Sequence, residues 1–147
     1  MTQLGFAPVA AEDFEALLAL RIRAMRPALE ALGRFDPERA RARFLGQFEP
    51  EAMRWVMRDG ARVGLLTLRK GHQPWHLRHM YLEPEAQGQA VGAWVIAQAQ
   101  QEAAAAGAGI ALEALRGSAA NRVYQRHGFA CVAEDELECS YRWEPRR

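Results

Sequence analysis

The run His79-Met-Tyr-Leu-Glu-Pro-Glu-Ala-Gln-Gly-Gln-Ala-Val-Gly-Ala-Trp-Val-Ile-Ala-Gln98 decides how the rest of this chain is read. An apolar strand passes through a short turn, Gln87-Gly-Gln-Ala-Val-Gly92, straight into a helix-forming segment. Small residues at a helix start leave its first backbone N–H groups bare. Those groups have no partner inside the helix and lie at the positive end of its dipole. Such a start suits a phosphate or pyrophosphate.

Working outward, Gly5 to Val9 reads as a first strand. Phe14, Leu17, Leu18, Ile22 and Met25 then recur at three-and-four spacing, one face of a helix that Pro27 is expected to kink or end. Asp36-Pro37-Glu38 carries a capping side chain followed by proline at the first helical position, with Phe44, Leu45 and Phe48 on the buried side. The period then shortens. Met53 to Arg58 and Arg62 to Arg69 read as strands around an Asp59-Gly60 hairpin turn, and Trp75 to Leu82 as the next strand. Beyond the turn, the helix runs to about Ala106, Ile110 to Leu115 is a strand, and Ser118 to His127 is helical. Phe129 to Ala133 and Leu137 to Trp143 form a last hairpin. The unit from Leu77 to Leu115 should be a right-handed parallel crossover. The expected fold is therefore α/β: a mixed, largely antiparallel sheet with a central parallel β-α-β crossover and helices on both faces.

A length of 147 residues predicts one domain, residues 1–147. Half the residues are hydrophobic and the formal net charge is +1, so there is no electrostatic footprint for nucleic acid or an acidic membrane. Lys70 is the only lysine, a feature of composition. No apolar run reaches a membrane span of about 18 residues, and no charged start leads into an apolar stretch, so a cytoplasmic protein without a leader is expected. Cys131 and Cys139 do not form a metal pattern; they could face each other across a hairpin centred on Asp135, and read as small core-type residues. His72, His76 and His127 lie near turns or exposed positions and suggest no metal site.

A second segment narrows the ligand: Ser118-Ala-Ala-Asn-Arg-Val-Tyr-Gln-Arg-His-Gly-Phe129. Together with Tyr81-Leu-Glu-Pro-Glu-Ala-Gln-Gly-Gln-Ala-Val-Gly92, it makes the chain resemble the GNAT family, the Gcn5-related N-acetyltransferases. The first segment is similar to that family's acetyl-CoA motif: Gln or Arg, two residues, Gly, one residue, then Gly or Ala. The second is similar to its late helix, with an Asn a few residues before a Tyr and a Gly-Phe end. The element order fits over almost the whole chain.

The resemblance implies acetyl-CoA as co-substrate, its pyrophosphate held by the backbone of Gln87, Gly88, Gln89, Ala90, Val91 and Gly92; successive turn amides make such a nest. Main-chain groups near Met80, Tyr81 and Leu82 would bond the pantetheine arm and the acetyl carbonyl, where an N–H stabilises developing charge. Asn121 would also face the cofactor. Tyr124 would protonate the leaving thiolate; as an aromatic at this spacing it could equally cover the helix–sheet seam. Ala90 departs from the family, which has glycine there. The methyl is harmless if φ is helical and unfavourable if φ is positive.

An attacking amine must be neutral, so a proton acceptor is needed. Candidates are His79 and Glu113, against a hydrogen-bonded structural histidine and a solvent-facing glutamate; a water chain would also serve. Gly33-Arg34-Phe35 and Trp55 are candidate substrate-lining residues. The expected activity is acetyl transfer to a primary amine of a small molecule, or to a protein amine, by direct attack in a ternary complex. The alternative is a catalytically quiet acyl-CoA-binding sensor. No metal, nucleic-acid or membrane partner is expected. A homodimer through the exposed edge of the last hairpin is open.

Overall fold

The computed structural model describes residues 1–88 and 90–146. The chain divides into two compact units: Met1–Thr67 with His79–Gln87, and Leu68–Arg78 with Gly88 onward. Among the described residues, seven strands are hydrogen-bonded in the order β1-β2-β3-β4-β5-β7-β6.

In the first unit, β1 (Leu4–Pro8) pairs antiparallel with β2 (Met53–Arg58), and β2 with β3 (Ala61–Arg69). Asp59 and Gly60 take φ of 51° and 82°, the paired positive angles of a tight hairpin turn. The β2–β3 register slips between Val56 and Met57, which pair with Gly64 and Arg62 and leave Val63 as the extra residue. The Val63 carbonyl accepts from the Glu83 N–H at 2.8 Å, so the bulge holds the chain where β4 (Trp75–Leu82) ends.

Two helices complete that unit. α1 (Phe14–Ala31) buries Leu17, Leu18 and Leu20, and α2 (Pro37–Gln47) buries Ala40 and Phe44. Asp36 caps α2 as expected, accepting from the N–H groups of Glu38 and Arg39 at 3.1 and 3.2 Å. Phe14, Phe44 and Phe48 pack ring on ring. Of the two outcomes expected at Pro27, ending is not the one seen: α1 runs on through it for another turn. A proline removes one donor and crowds one carbonyl, whereas the next turn closes regardless, with Leu32 and Arg34 N–H groups bonded to the Ala28 and Leu29 carbonyls. Trp55 is also not a lining residue. It is 4% exposed in the core, its Nε1–H donates to Asp13 at 3.1 Å, and the Arg62 guanidinium lies 4.3 Å from its ring.

In the second unit, α3 (Val91–Ala105) precedes β5 (Ile110–Leu115), α4 (Ala120–Arg126), β6 (Ala130–Glu134) and β7 (Glu138–Trp143). β5 and β6 both pair antiparallel with β7. The start of β4 pairs parallel with β5, at Trp75↔Ile110 and His76↔Ala111. Asp135 turns the last hairpin by accepting from the N–H groups of Leu137 and Glu138, which hold its carboxyl below the ordinary range. Val91, Val95, Ile96, Ile110 and Leu112 are fully buried here. The mixed α/β fold read from the sequence is the fold observed.

Candidate active site

The turn between β4 and α3 is built from two left-handed residues. Gly88 has φ 75° and Ala90 has φ 63°, ψ 7°. Gln89, read from the sequence as a phosphate ligand, lies outside the described residues. Ala90 is the N-cap of α3, and among the described residues it makes no side-chain capping bond. Its first backbone bond runs from the Trp94 N–H to the Ala90 carbonyl at 3.1 Å. The N–H groups of Val91, Gly92 and Ala93 therefore lack an intrahelical acceptor, and an alanine cap offers them none. Three adjacent donors at a positive dipole end suit a phosphate. The question the sequence left at Ala90 is answered: φ is positive, in the region where a Cβ is strained.

Upstream, Gln87 bonds back to the strand. Its Nε2 donates to the Leu82 carbonyl at 3.1 Å, and its N–H to the Pro84 carbonyl at 3.2 Å. Leu82 is buried, while Met80 and Tyr81 are half-buried. Gly64 on β3 makes room for this strand end. A Cβ there would stand 2.5 Å from the Tyr81 carbonyl oxygen and 2.7 Å from Leu82 Cδ2. Only glycine lets the two backbones approach this closely.

His79 is 3% exposed, its ring against Phe44 and Tyr81. Nδ1 lies 2.9 Å from Thr67 Oγ1 and Nε2 lies 3.0 Å from Gln47 Oε1. With the amide as assigned, Nε2–H donates to Gln47 Oε1, and in the neutral ring Nδ1 accepts from the Thr67 hydroxyl. Glu113 stands exposed on β5 and its Oε1 lies 2.8 Å from His76 Nε2. That bond chiefly holds the Glu113 carboxyl below the ordinary range against the opposing effect of desolvation, with the charge of Arg78 the smallest contributor. A carboxyl held low is a weaker proton acceptor at neutral pH. The sequence reading assigned His76 no role; here it is the partner that fixes Glu113.

On α4, Tyr124 is 5% exposed, with ring contacts to Phe129 and Tyr141 at 5.8 and 6.0 Å. Asn121 is a structural node. Its Nδ2 donates to the Leu115 and Ser118 carbonyls at 2.8 and 2.9 Å and reaches Ser118 Oγ at 3.0 Å, while its Oδ1 accepts from the Tyr141 hydroxyl at 2.7 Å. Gln125 Nε2 donates to that same hydroxyl at 3.2 Å. Burial raises the Tyr141 pKa, so this phenol stays protonated as a donor. Tyr141 and Gln125 carried no sequence signal; a strand residue reveals such a role only once the strand is paired.

The cysteines differ from the expectation of core residues. Cys131 is exposed and Cys139 half-buried. Among the described residues, their Sγ atoms and a Glu134 carboxylate oxygen lie within 4.8 Å of one another. A slip in the β6–β7 register between Cys131 and Ala133 puts them on one face, a grouping that no Cys-spacing rule encodes. Among the described residues, no helix is long and apolar enough to cross a membrane.

Residues 25–141 match the family model described as the acetyltransferase (GNAT) domain. No curated protein matches the chain. Among solved structures, the PaiA N-acetyltransferase of Thermoplasma acidophilum, in complex with coenzyme A, is similar over 97% of this chain and 99% of that one, with TM-score 0.77 and 15% identity. The ribosomal-protein-S18-alanine N-acetyltransferase of Escherichia coli matches over 99% and 96% respectively, with TM-score 0.75 and 14% identity. An HPA2-related acetyltransferase of Corynebacterium glutamicum matches over 98% and 97%, with TM-score 0.70 and 21% identity. Likeness at these identities speaks to the fold alone, and the match to the family model speaks to membership. The chain belongs to the GNAT acetyltransferase family.

Proposed function

We propose that this chain is an acetyl-CoA-dependent N-acetyltransferase acting on a primary amine of a small molecule, or on a protein amine, with residues 1–147 working as one domain. The observation that carries the reading is the start of α3, where Val91, Gly92 and Ala93 offer N–H donors and the Ala90 cap has no polar side chain to compete for them. In this reading the turn Gln87 to Gly92 grips the coenzyme A pyrophosphate, and main-chain groups of Met80, Tyr81 and Leu82 hold the pantetheine arm and polarise the acetyl carbonyl. The amine nitrogen attacks that carbonyl directly. The C–S bond breaks, the sulfur takes a proton from the Tyr124 hydroxyl, and the nitrogen loses one.

The acceptor of the nitrogen's proton is His79, Glu113 or water. His79 must give up its bond from Thr67 to expose Nδ1, and Glu113 must act despite its depressed pKa. Water needs no such exchange, and the reading assigns the step to it. Asn121, its amide already spent, serves as a positioning residue. Ala90, which stands where the family has glycine, is the feature that leans toward the quiet binding module.

The test is amine-dependent release of coenzyme A thiol. Turnover with at least one amine, lowered more than about tenfold in kcat by Tyr124→Phe, is expected from loss of an acid catalyst. Tight acetyl-CoA binding without turnover over a wide amine panel would favour the sensor. An unchanged kcat in Tyr124→Phe would remove that residue from the chemistry.

A further inference from the structure

Arg21 stands where α1 should carry an apolar side chain. It is four residues after Leu17 and three after Leu18, on the stripe that packs into the core, and is only 7% exposed. Its stem could cover apolar surface with the head in water, but Nε is buried and has no hydrogen-bond partner among the described residues. Nor does the guanidinium form an ion pair among them. Among the described residues its aromatic contact is with Tyr81 on β4, whose ring centroid lies 5.9 Å from Cζ. The carboxylate two residues past Tyr81 is already taken. Glu83 is bonded at both oxygens, 2.8 and 2.7 Å, by Arg23, two residues past Arg21.

A guanidinium whose Nε is buried without a partner is unfavourable, and cation–π contact returns only about 0.5–2 kcal/mol. A residue kept at such a disadvantage beside Tyr81 points to a ligand that completes it. We infer that Arg21 receives an anionic group on the acceptor, so that the amine substrate carries a carboxylate or comparable oxyanion. A guanidinium presents a planar fork that a carboxylate meets with two parallel N–H···O bonds, which fixes orientation as well as charge. The inference rests on the proposed acetyl site through Tyr81, whose main chain is assigned to the acetyl carbonyl while its ring meets Arg21. Anchoring the far end of the acceptor there delivers its amine toward the thioester.

Two measurements test this, one without turnover. Heat denaturation of the free protein is followed with succinate or propionate against chloride at equal ionic strength. Carboxylates are expected to raise Tm in the wild type and not in Arg21→Met; no difference from chloride in the wild type overturns the inference whether or not the enzyme turns over. Arg21→Met is itself expected to fold with unchanged or higher Tm, because an apolar side chain relieves the unpaired charge. A marked fall would make Arg21 a structural residue and also overturn it. In the second measurement, thiol release is compared for ω-amino acids, their carboxamides and phosphoethanolamine. Amino acids or the phosphate ester are expected to exceed the amides by at least tenfold in kcat/KM, with the preference lost through KM in Arg21→Met. Equal use of acids and amides overturns the anion anchor and leaves the acetyltransferase reading standing; carboxylate-dependent stabilisation without any turnover does the reverse.

Discussion

Replacing Ala90 by glycine should stabilise this protein. Ala90 sits at φ 63°, ψ 7°, where an L-residue with a Cβ is disfavoured by roughly 1–2 kcal/mol. Glycine removes that strain but adds freedom to the unfolded chain, which offsets about 0.4–1 kcal/mol. The net expectation is a gain of about 0.5–1 kcal/mol, or about 1–4 °C in Tm for a domain near this size. Gly88 is the internal control. It holds φ 75°, and an added Cβ there would meet nothing within 4 Å, so Gly88→Ala measures conformational strain free of clash. It should lower Tm by a similar amount. Scanning calorimetry of both variants reads the strain, and titration with acetyl-CoA reads something separate. Strain equal in the free and bound turn cancels from affinity. If the turn loosens when empty, Ala90→Gly tightens binding by about two- to fivefold, since 1.4 kcal/mol is a factor of ten. An unchanged or lower Tm for Ala90→Gly, with Gly88→Ala still destabilising, would refute left-handed strain at position 90.

Gly64→Ala should impair acetyl transfer and stability together, because its Cβ would collide with the Tyr81 carbonyl and Leu82; near-normal kcat/KM and Tm would show that the strand end yields freely. Asn121→Ala removes acceptor and donor from Tyr141 and two carbonyls at once and should lower stability by about 2–3 kcal/mol in denaturant titration, the scale for orphaned buried polar groups. Asp13 accepts from the Ala10 N–H and the Trp55 Nε1–H, and these bonds, with Arg62, hold its carboxyl below its ordinary 3.8. A depressed folded pKa contributes stability above the unfolded value that is lost as pH falls through the folded one. The Tm gap between wild type and Asp13→Asn should therefore be constant at neutral pH and shrink below about pH 4; a gap that widens in acid would contradict it.

What the sequence made legible was local. Asp59-Gly60, Asp36-Pro37 and the turn after Leu82 each place a backbone need and the residue that meets it within a few positions, so spacing alone reads them. The partnerships that shape the site join distant positions. Arg23 meets Glu83 across 60 residues, His76 meets Glu113 across 37, and Tyr141 meets Asn121 across 20. No periodicity encodes these; each depends on which strand lies beside which. Arg21 escaped notice for a subtler reason. Leu17, Leu18, Ile22 and Met25 already account for an apolar stripe, and a pattern that is satisfied reads past the one residue that breaks it. Yet folding physics tolerates an unpaired buried charge only under outside constraint, so the break in the pattern carries more about function than the pattern does. Ala90 makes the same point from the backbone. Its φ could not be read from the residue type, since a left-handed cap is ordinarily glycine or asparagine rather than alanine. The strain at Ala90 and the unpartnered Nε of Arg21 are each unfavourable to the free protein, and each is the kind of local disadvantage that a bound group makes intelligible.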